Sequence, residues 1–107
     1  MEFFTKQYKV GNNRGNKRIW IEGKVLSDLD LKRGDRFSRL MDSETINLVF
    51  EDGDKVAHTV AGSDERPIID LNGKYLNEFF GDSEFFVAEF IPAVGNYSKQ
   101  IKIERVA

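Results

Sequence analysis

The chain has 107 residues, of which 40% are hydrophobic and 32% charged, with a net charge of −2 and no cysteine. That composition predicts one soluble domain with one modest core, and it excludes disulfides, thiolate zinc sites and thiol nucleophiles. No apolar run is long enough to span a membrane, and Met1-Glu2-Phe3-Phe4-Thr5-Lys6 lacks the apolar core of a signal peptide, so a cytoplasmic protein is expected.

In chain order, Phe3–Val10 reads as a first strand, followed by a loop, Gly11-Asn12-Asn13-Arg14-Gly15-Asn16-Lys17, made of turn-tolerant residues. Ile19 and Ile21 alternate with polar neighbours as in a half-buried strand, and Gly23 ends it. Lys24–Leu29 has the apolar spacing of a short helix. Leu31-Lys32-Arg33-Gly34-Asp35 is a turn with a glycine where a helix would end. Phe37–Met41 and the alternating Ile46-Asn47-Leu48-Val49-Phe50 follow as strands. Glu51-Asp52-Gly53-Asp54 reads as a tight hairpin turn.

The same order then recurs. Val56–Val60 is a strand, and Ala61-Gly62-Ser63-Asp64-Glu65 is a loop. Ile69 and Leu71 mark a strand that Gly73 ends, and Lys74–Phe80 is a short helix. Phe85–Ile91 is a strand, and Ile101, Ile103 and Val106 mark the last one. Residue by residue, Ile19 matches Ile69, Ile21 matches Leu71, and Gly23-Lys24 matches Gly73-Lys74; Leu26 matches Leu76 and Leu29 matches Phe79. Two residues are lost in the next turn, after which Gly34-Asp35-Arg36-Phe37 aligns with Asp82-Ser83-Glu84-Phe85. The chain therefore reads as one domain, 1–107, made of two copies of one unit. Repeat one covers about 3–51 and repeat two about 55–106. The expected fold is mainly β with two short helices. Two interlocking copies are expected to close a small barrel, which removes exposed sheet edges.

The element order, and the run Leu29-Asp30-Leu31-Lys32-Arg33-Gly34-Asp35-Arg36-Phe37 after a short helix, resembles the AbrB/SpoVT/SymE-like swapped-hairpin family. There an L-G-(I/F)-K-x-G-D-x-(V/F) turn ends the helix and starts the third strand. The first copy is also similar to the small domain that precedes some phage cytosine methyltransferases. This chain departs from the pattern at Leu29-Asp30-Leu31, and more strongly in copy two, where Phe80-Gly81-Asp82-Ser83 is shorter and lacks the basic residue. Most family members carry one copy and dimerise. The resemblance therefore implies a pseudo-two-fold swapped-hairpin barrel within one chain, acting as a monomer in a bacterial host's cytoplasm. It also implies DNA docking by the basic loop between the first two strands.

Charge divides along the chain. Residues 1–40 hold ten Lys and Arg against five Asp and Glu, whereas 41–107 hold six against thirteen. In copy one, Lys9, Arg14, Lys17 and Arg18 flank the Gly/Asn loop, and Lys32, Arg33 and Arg36 extend the positive surface. Such side chains neutralise phosphates and release counterions, and Asn12, Asn13 and Asn16 add hydrogen bonds. A phage or mobile-element DNA-binding regulator is one expectation. Copy two supports another. Its matching loop carries Asp64 and Glu65, which repel phosphate, and Phe86 and Tyr97 are candidates for contact with a protein. On that reading the chain is a small anti-defence inhibitor or adaptor that binds a host protein complex. A third reading, by analogy with SymE, is RNA binding.

Catalysis is not expected. The single histidine, His58, has no companion for a zinc site and is read as a polar residue on a strand's outer face. No G-x-S-x-G elbow occurs, the Gly11–Gly15 stretch lacks the ending of a Walker loop, and the turn carboxylates lack calcium-loop spacing. No metal and no cofactor are implied.

Overall fold

Strict alternation of buried and half-buried residues along Thr45–Phe50 and along 86–91 is what a sheet covered on one face requires. The computed structural model describes residues 4–51 and 58–106. Its first half runs β1 (Phe4–Lys9), β2 (Gly11–Asn13), β3 (Asn16–Glu22), α1 (Lys24–Asp28), β4 (Arg36–Met41) and β5 (Thr45–Phe50). Its second half runs β6 (His58–Thr59), β7 (Ala61–Gly62), β8 (Pro67–Asn72), α2 (Lys74–Phe80), β9 (Phe85–Ile91) and β10 (Lys99–Arg105). The fold is mainly β with two short helices, as the alternation and the Gly-bounded helical stretches imply. Residues 52–54 of the expected turn at Glu51–Asp54 and the start of the strand expected at Val56–Val60 lie outside the described residues.

The expected closed barrel does not form. The strands make two open antiparallel sheets, one of six strands in the order β1-β9-β10-β5-β4-β6 and one of four in the order β2-β3-β8-β7. The reason lies in the two stretches read as loops. Gly11–Asn13 and Ala61–Gly62 are strands, and they pair with β3 and β8. The chain thus leaves the large sheet after β1 and starts a second one. Closure is not needed to protect the edges: β2, β6 and β7 are two or three residues long, and the longer edge strand β1 carries the exposed Lys6 and Lys9, which discourage further pairing.

Both strand orders read the same when the two halves are exchanged. In the small sheet Trp20 lies opposite Asp70 at the centre of the β3–β8 pair. In the large sheet Asn47 lies opposite Lys102 between β5 and β10. The first strand of each half pairs with a strand of the other half, β1 with β9 and β6 with β4.

One residue match changes in three dimensions. Phe37 corresponds to Phe86, not to Phe85. Phe37 faces His58 across β4–β6 and stacks on it at 5.3 Å, and Phe86 faces Tyr8 across β1–β9 and stacks on it at 5.3 Å. Phe86 is fully buried while Phe85 is 39% exposed. This removes Phe86 from the candidate protein-binding residues, because a side chain in the core cannot meet a partner.

The two sheets enclose one apolar cluster. The large sheet supplies Phe37, Ile46, Leu48, Phe86, Phe90, Ile101 and Ile103, the small one Ile19, Ile21, Ile69 and Leu71, and the helices Leu26, Leu76, Phe79 and Phe80. No polar or charged residue is buried among the described residues. Helix α1 stops at Asp30, which takes a left-handed φ of 57°. The Leu31 amide then donates to the Leu26 carbonyl and the Asp30 amide to that of Ser27, the pair of hydrogen bonds that closes a helix end. Buried Leu31 and Leu26 add the apolar contact. The expected stop at Gly34 falls later, inside the Lys32–Asp35 turn. No helix of the described chain is long and apolar enough to cross a membrane.

Phe86→Ala is expected to destabilise the fold by about 3–5 kcal/mol through loss of buried area and a residual cavity, and Phe85→Ala by under about 1 kcal/mol. Urea unfolding of both variants checks this, and the reverse ranking would mean that the β1–β9 register is wrong.

Candidate nucleic-acid interface

The Gly/Asn-rich segment is a tight hairpin. Gly11 pairs with Arg18, Asn12 with Lys17 and Asn13 with Asn16, so Arg14 and Gly15 are the two residues of the turn. Both have positive φ, 53° and 85°, as the type I′ hairpin turn demands. Gly15 adopts this freely. Arg14 does not, and Asn, Asp or Gly would be the conformationally easier residue there.

Two anchors hold the hairpin. Asn77 on α2 accepts the Lys17 amide hydrogen at 2.7 Å and donates through Nδ2 to Asn16 Oδ1 at 2.9 Å. The Val10 amide donates to the Glu84 carbonyl at 2.8 Å. Both anchors come from the second half, so the tip of the first half is positioned by the other half of the chain.

The structure divides the seven candidate cations into two groups. Lys9, Arg14, Lys17 and Arg18 belong to this hairpin and its entry. Lys32, Arg33 and Arg36 lie beside the other hairpin, β7–β8. The Gly34 amide donates to the Val60 carbonyl, the Val60 amide donates to that of Asp35, and Arg33 pairs with Asp64 at 3.4 Å. Arg36 lies opposite Thr59. The second group therefore shares its surface with the acidic tip at Asp64 and Glu65, and it does not extend the first.

Within the first group Arg18 is already engaged. Its Nε and one terminal nitrogen hold both Asp70 oxygens at 2.8 and 2.9 Å, and its guanidinium carbon lies 4.3 Å from the Trp20 ring centroid. The hydrogen bonds from Arg18 hold the Asp70 carboxyl below its usual range. Arg18 is thus a clasp between the halves. Lys9 and Arg14 are exposed, and Lys17 is half-buried. Of the candidate protein contacts, Asp64 and Glu65 are exposed, and Tyr97, in the Val94–Tyr97 turn, is 76% exposed.

Sequence reasoning missed Trp20, Asp70 and Asn77. Trp20 carried a signal, since it shares the non-isoleucine phase of β3 with Arg18 and Glu22, which puts all three on the outer face. Asp70 and Asn77 carried none, because their partners are more than fifty residues away.

His58 is not simply an outer-face residue. It occupies the place that Tyr8 holds in the first half, stacked on the buried Phe37. Burial, and then the cation of Arg39, hold its pKa below the ordinary value. Burial likewise pushes the Tyr8 hydroxyl up to about 12.

Comparison with protein-family models, with curated proteins and with solved structures finds no match to this chain.

The low pKa of His58 sets the sign of a pH effect. Between its folded value and about 6.5 the unfolded chain binds more protons than the folded one, so stability falls as pH drops below about 6.5. Urea midpoints from about pH 7.5 to about pH 5.5 are expected to decline in the parent. In His58→Tyr, which copies the first half, they are expected to stay flatter. Equal slopes would show that His58 is not responsible.

Proposed function

We propose that this chain is a non-catalytic, DNA-binding module of the AbrB-like, swapped-hairpin type, with both copies fused in one chain, and that it docks on DNA through the β2–β3 hairpin. As a phage or mobile-element regulator or accessory factor it would act as a monomer, since each half already supplies the strands that the other half pairs with. The fold type is supported by strand orders that are unchanged when the halves are exchanged.

One observation carries the DNA reading: a long cationic side chain occupies a left-handed position at an exposed hairpin tip, φ 53° at Arg14. Backbone strain of this kind persists at sites where the side chain is used. Lys17 lies on the same hairpin and Lys9 at its entry, at the end of β1, and cations held on a pinned backbone can neutralise phosphates with little loss of backbone freedom. Asn12 and Asn13 add donors for phosphate or base edges.

A second reading is a protein-binding inhibitor or adaptor. The observations favouring it are the Arg33–Asp64 pair, which leaves the second hairpin without a net positive tip, and the exposure of Tyr97.

The test is duplex binding by the purified chain across a salt series, using mixed-sequence fragments. Affinity is expected to fall steeply with salt. Changing Lys9, Arg14 and Lys17 together to Ala is expected to abolish it or to reduce the slope by up to about three units. Unchanged binding in the triple variant would sink the reading.

Arg14→Gly separates fold from function. It is expected to raise stability by about 0.5–1 kcal/mol by relieving the turn while weakening DNA binding. Loss of both stability and binding would show that Arg14 serves the fold.

A further inference from the structure

The outer face of the four-stranded sheet has no role in the hairpin reading, yet it holds the chain's only tryptophan. Ile19 and Ile21 point into the core, so Asn16, Arg18, Trp20 and Glu22 point outward along β3. At about 3.3 Å per residue, Asn16 to Trp20 is a strip of about 13 Å that begins next to Arg14 and ends at the centre of the sheet. Its borders are low: Gly11 lies opposite Arg18 on β2, and Ala61 lies opposite Ile68 on β7. Beside Trp20, on β8, lies Asp70, whose two oxygens are taken up by Arg18.

Trp20 is 37% exposed. Arg18 lies over its ring, held by two charge-assisted bonds rather than left free. The result is a fixed, flat stack of guanidinium and indole on an open sheet, with amide side chains and the cationic tip at one end. Flat aromatic and guanidinium surfaces of this kind stack on unpaired bases, while neighbouring cations follow the phosphates. A base inside a duplex is already stacked on both faces and offers no surface to such a platform.

We infer that the outer face of β3 is a stacking platform for single-stranded nucleic acid: Trp20 with Arg18 takes an unpaired base, and Arg14 at the hairpin tip holds an adjoining phosphate. The inference rests on the hairpin reading for its phosphate contacts and goes beyond it in naming the strand state of the ligand. A carboxylate sets its polarity. Glu22 lies at the tryptophan end and repels phosphate, so the backbone runs toward the hairpin tip and the bases lie over the sheet.

Because Trp20 is the sole tryptophan, its fluorescence reports this face alone. The probes are an oligothymidylate and an oligouridylate of about twelve nucleotides, within the span that single-strand sites occupy, and a mixed-sequence duplex of the same length. Either single strand is expected to quench Trp20 and to bind at least tenfold more tightly than the duplex. With a labelled oligonucleotide, Trp20→Ala is expected to bind about 5- to 100-fold more weakly, the usual range for loss of one stacked base, and Trp20→Phe is expected to recover most of that loss. Circular dichroism confirms that both variants are folded. Single-strand binding that leaves Trp20 fluorescence unchanged, or that survives Trp20→Ala, overturns the inference. Duplex binding without single-strand binding also overturns it, and leaves the hairpin reading standing. Binding to no probe removes both.

Discussion

Backbone hydrogen bonds that cross between the two halves hold this molecule together. β1 adds to β9, β6 to β4, β8 to β3 and β10 to β5, so neither half owns a complete sheet. A half-chain on its own would expose the apolar faces of Ile46, Leu48, Ile101 or Ile103 together with unpaired edges, a combination that water does not tolerate. The pairings join residues far apart in sequence, such as Tyr8 with Phe86. Loop closure must therefore precede most of the stabilising contacts, and folding is expected to be slow for a chain of this size.

The same crossing organises the surface. Each hairpin is fastened by a turn of the opposite half: Val10 to Glu84 in one case, Val60 to Asp35 in the other. Since the first half is basic and the second acidic, fastening mixes the charges. Arg33 meets Asp64, and Arg18 meets Asp70. A continuous basic face, which a reading of the first forty residues alone would suggest, is replaced by one basic hairpin tip and one mixed hairpin tip.

The halves also differ in side chain where their matching places face each other. Tyr8 and His58 occupy equivalent stacks on Phe86 and Phe37, yet one titrates far above neutrality and the other below it. At the centre of the small sheet, Trp20 faces Asp70. A tryptophan there in both halves would place two bulky rings opposite one another. An aspartate instead gives Arg18 a partner, and Arg18 in turn covers part of the tryptophan.

Alternation, turn residues and internal matching were enough to establish the mainly β character, both helices and the positions of the core strands. These depend on local period and on glycine placement, such as Gly23 and Gly73, which any reader of the chain can see. The roles of Phe85 and Phe86 were not legible, because two adjacent aromatics carry no phase; the register with Tyr8 decides which one is buried. The segments 11–13 and 61–62 look like loops because a short edge strand needs a neighbour's backbone and no apolar signal of its own. Arg18 reads as a free cation until Asp70, fifty-two positions away, is brought beside it. Local chemistry along the chain determined what each segment could become. Pairing between distant strands, a property of no single segment, decided which side chains were buried, which were clasped and which were left exposed.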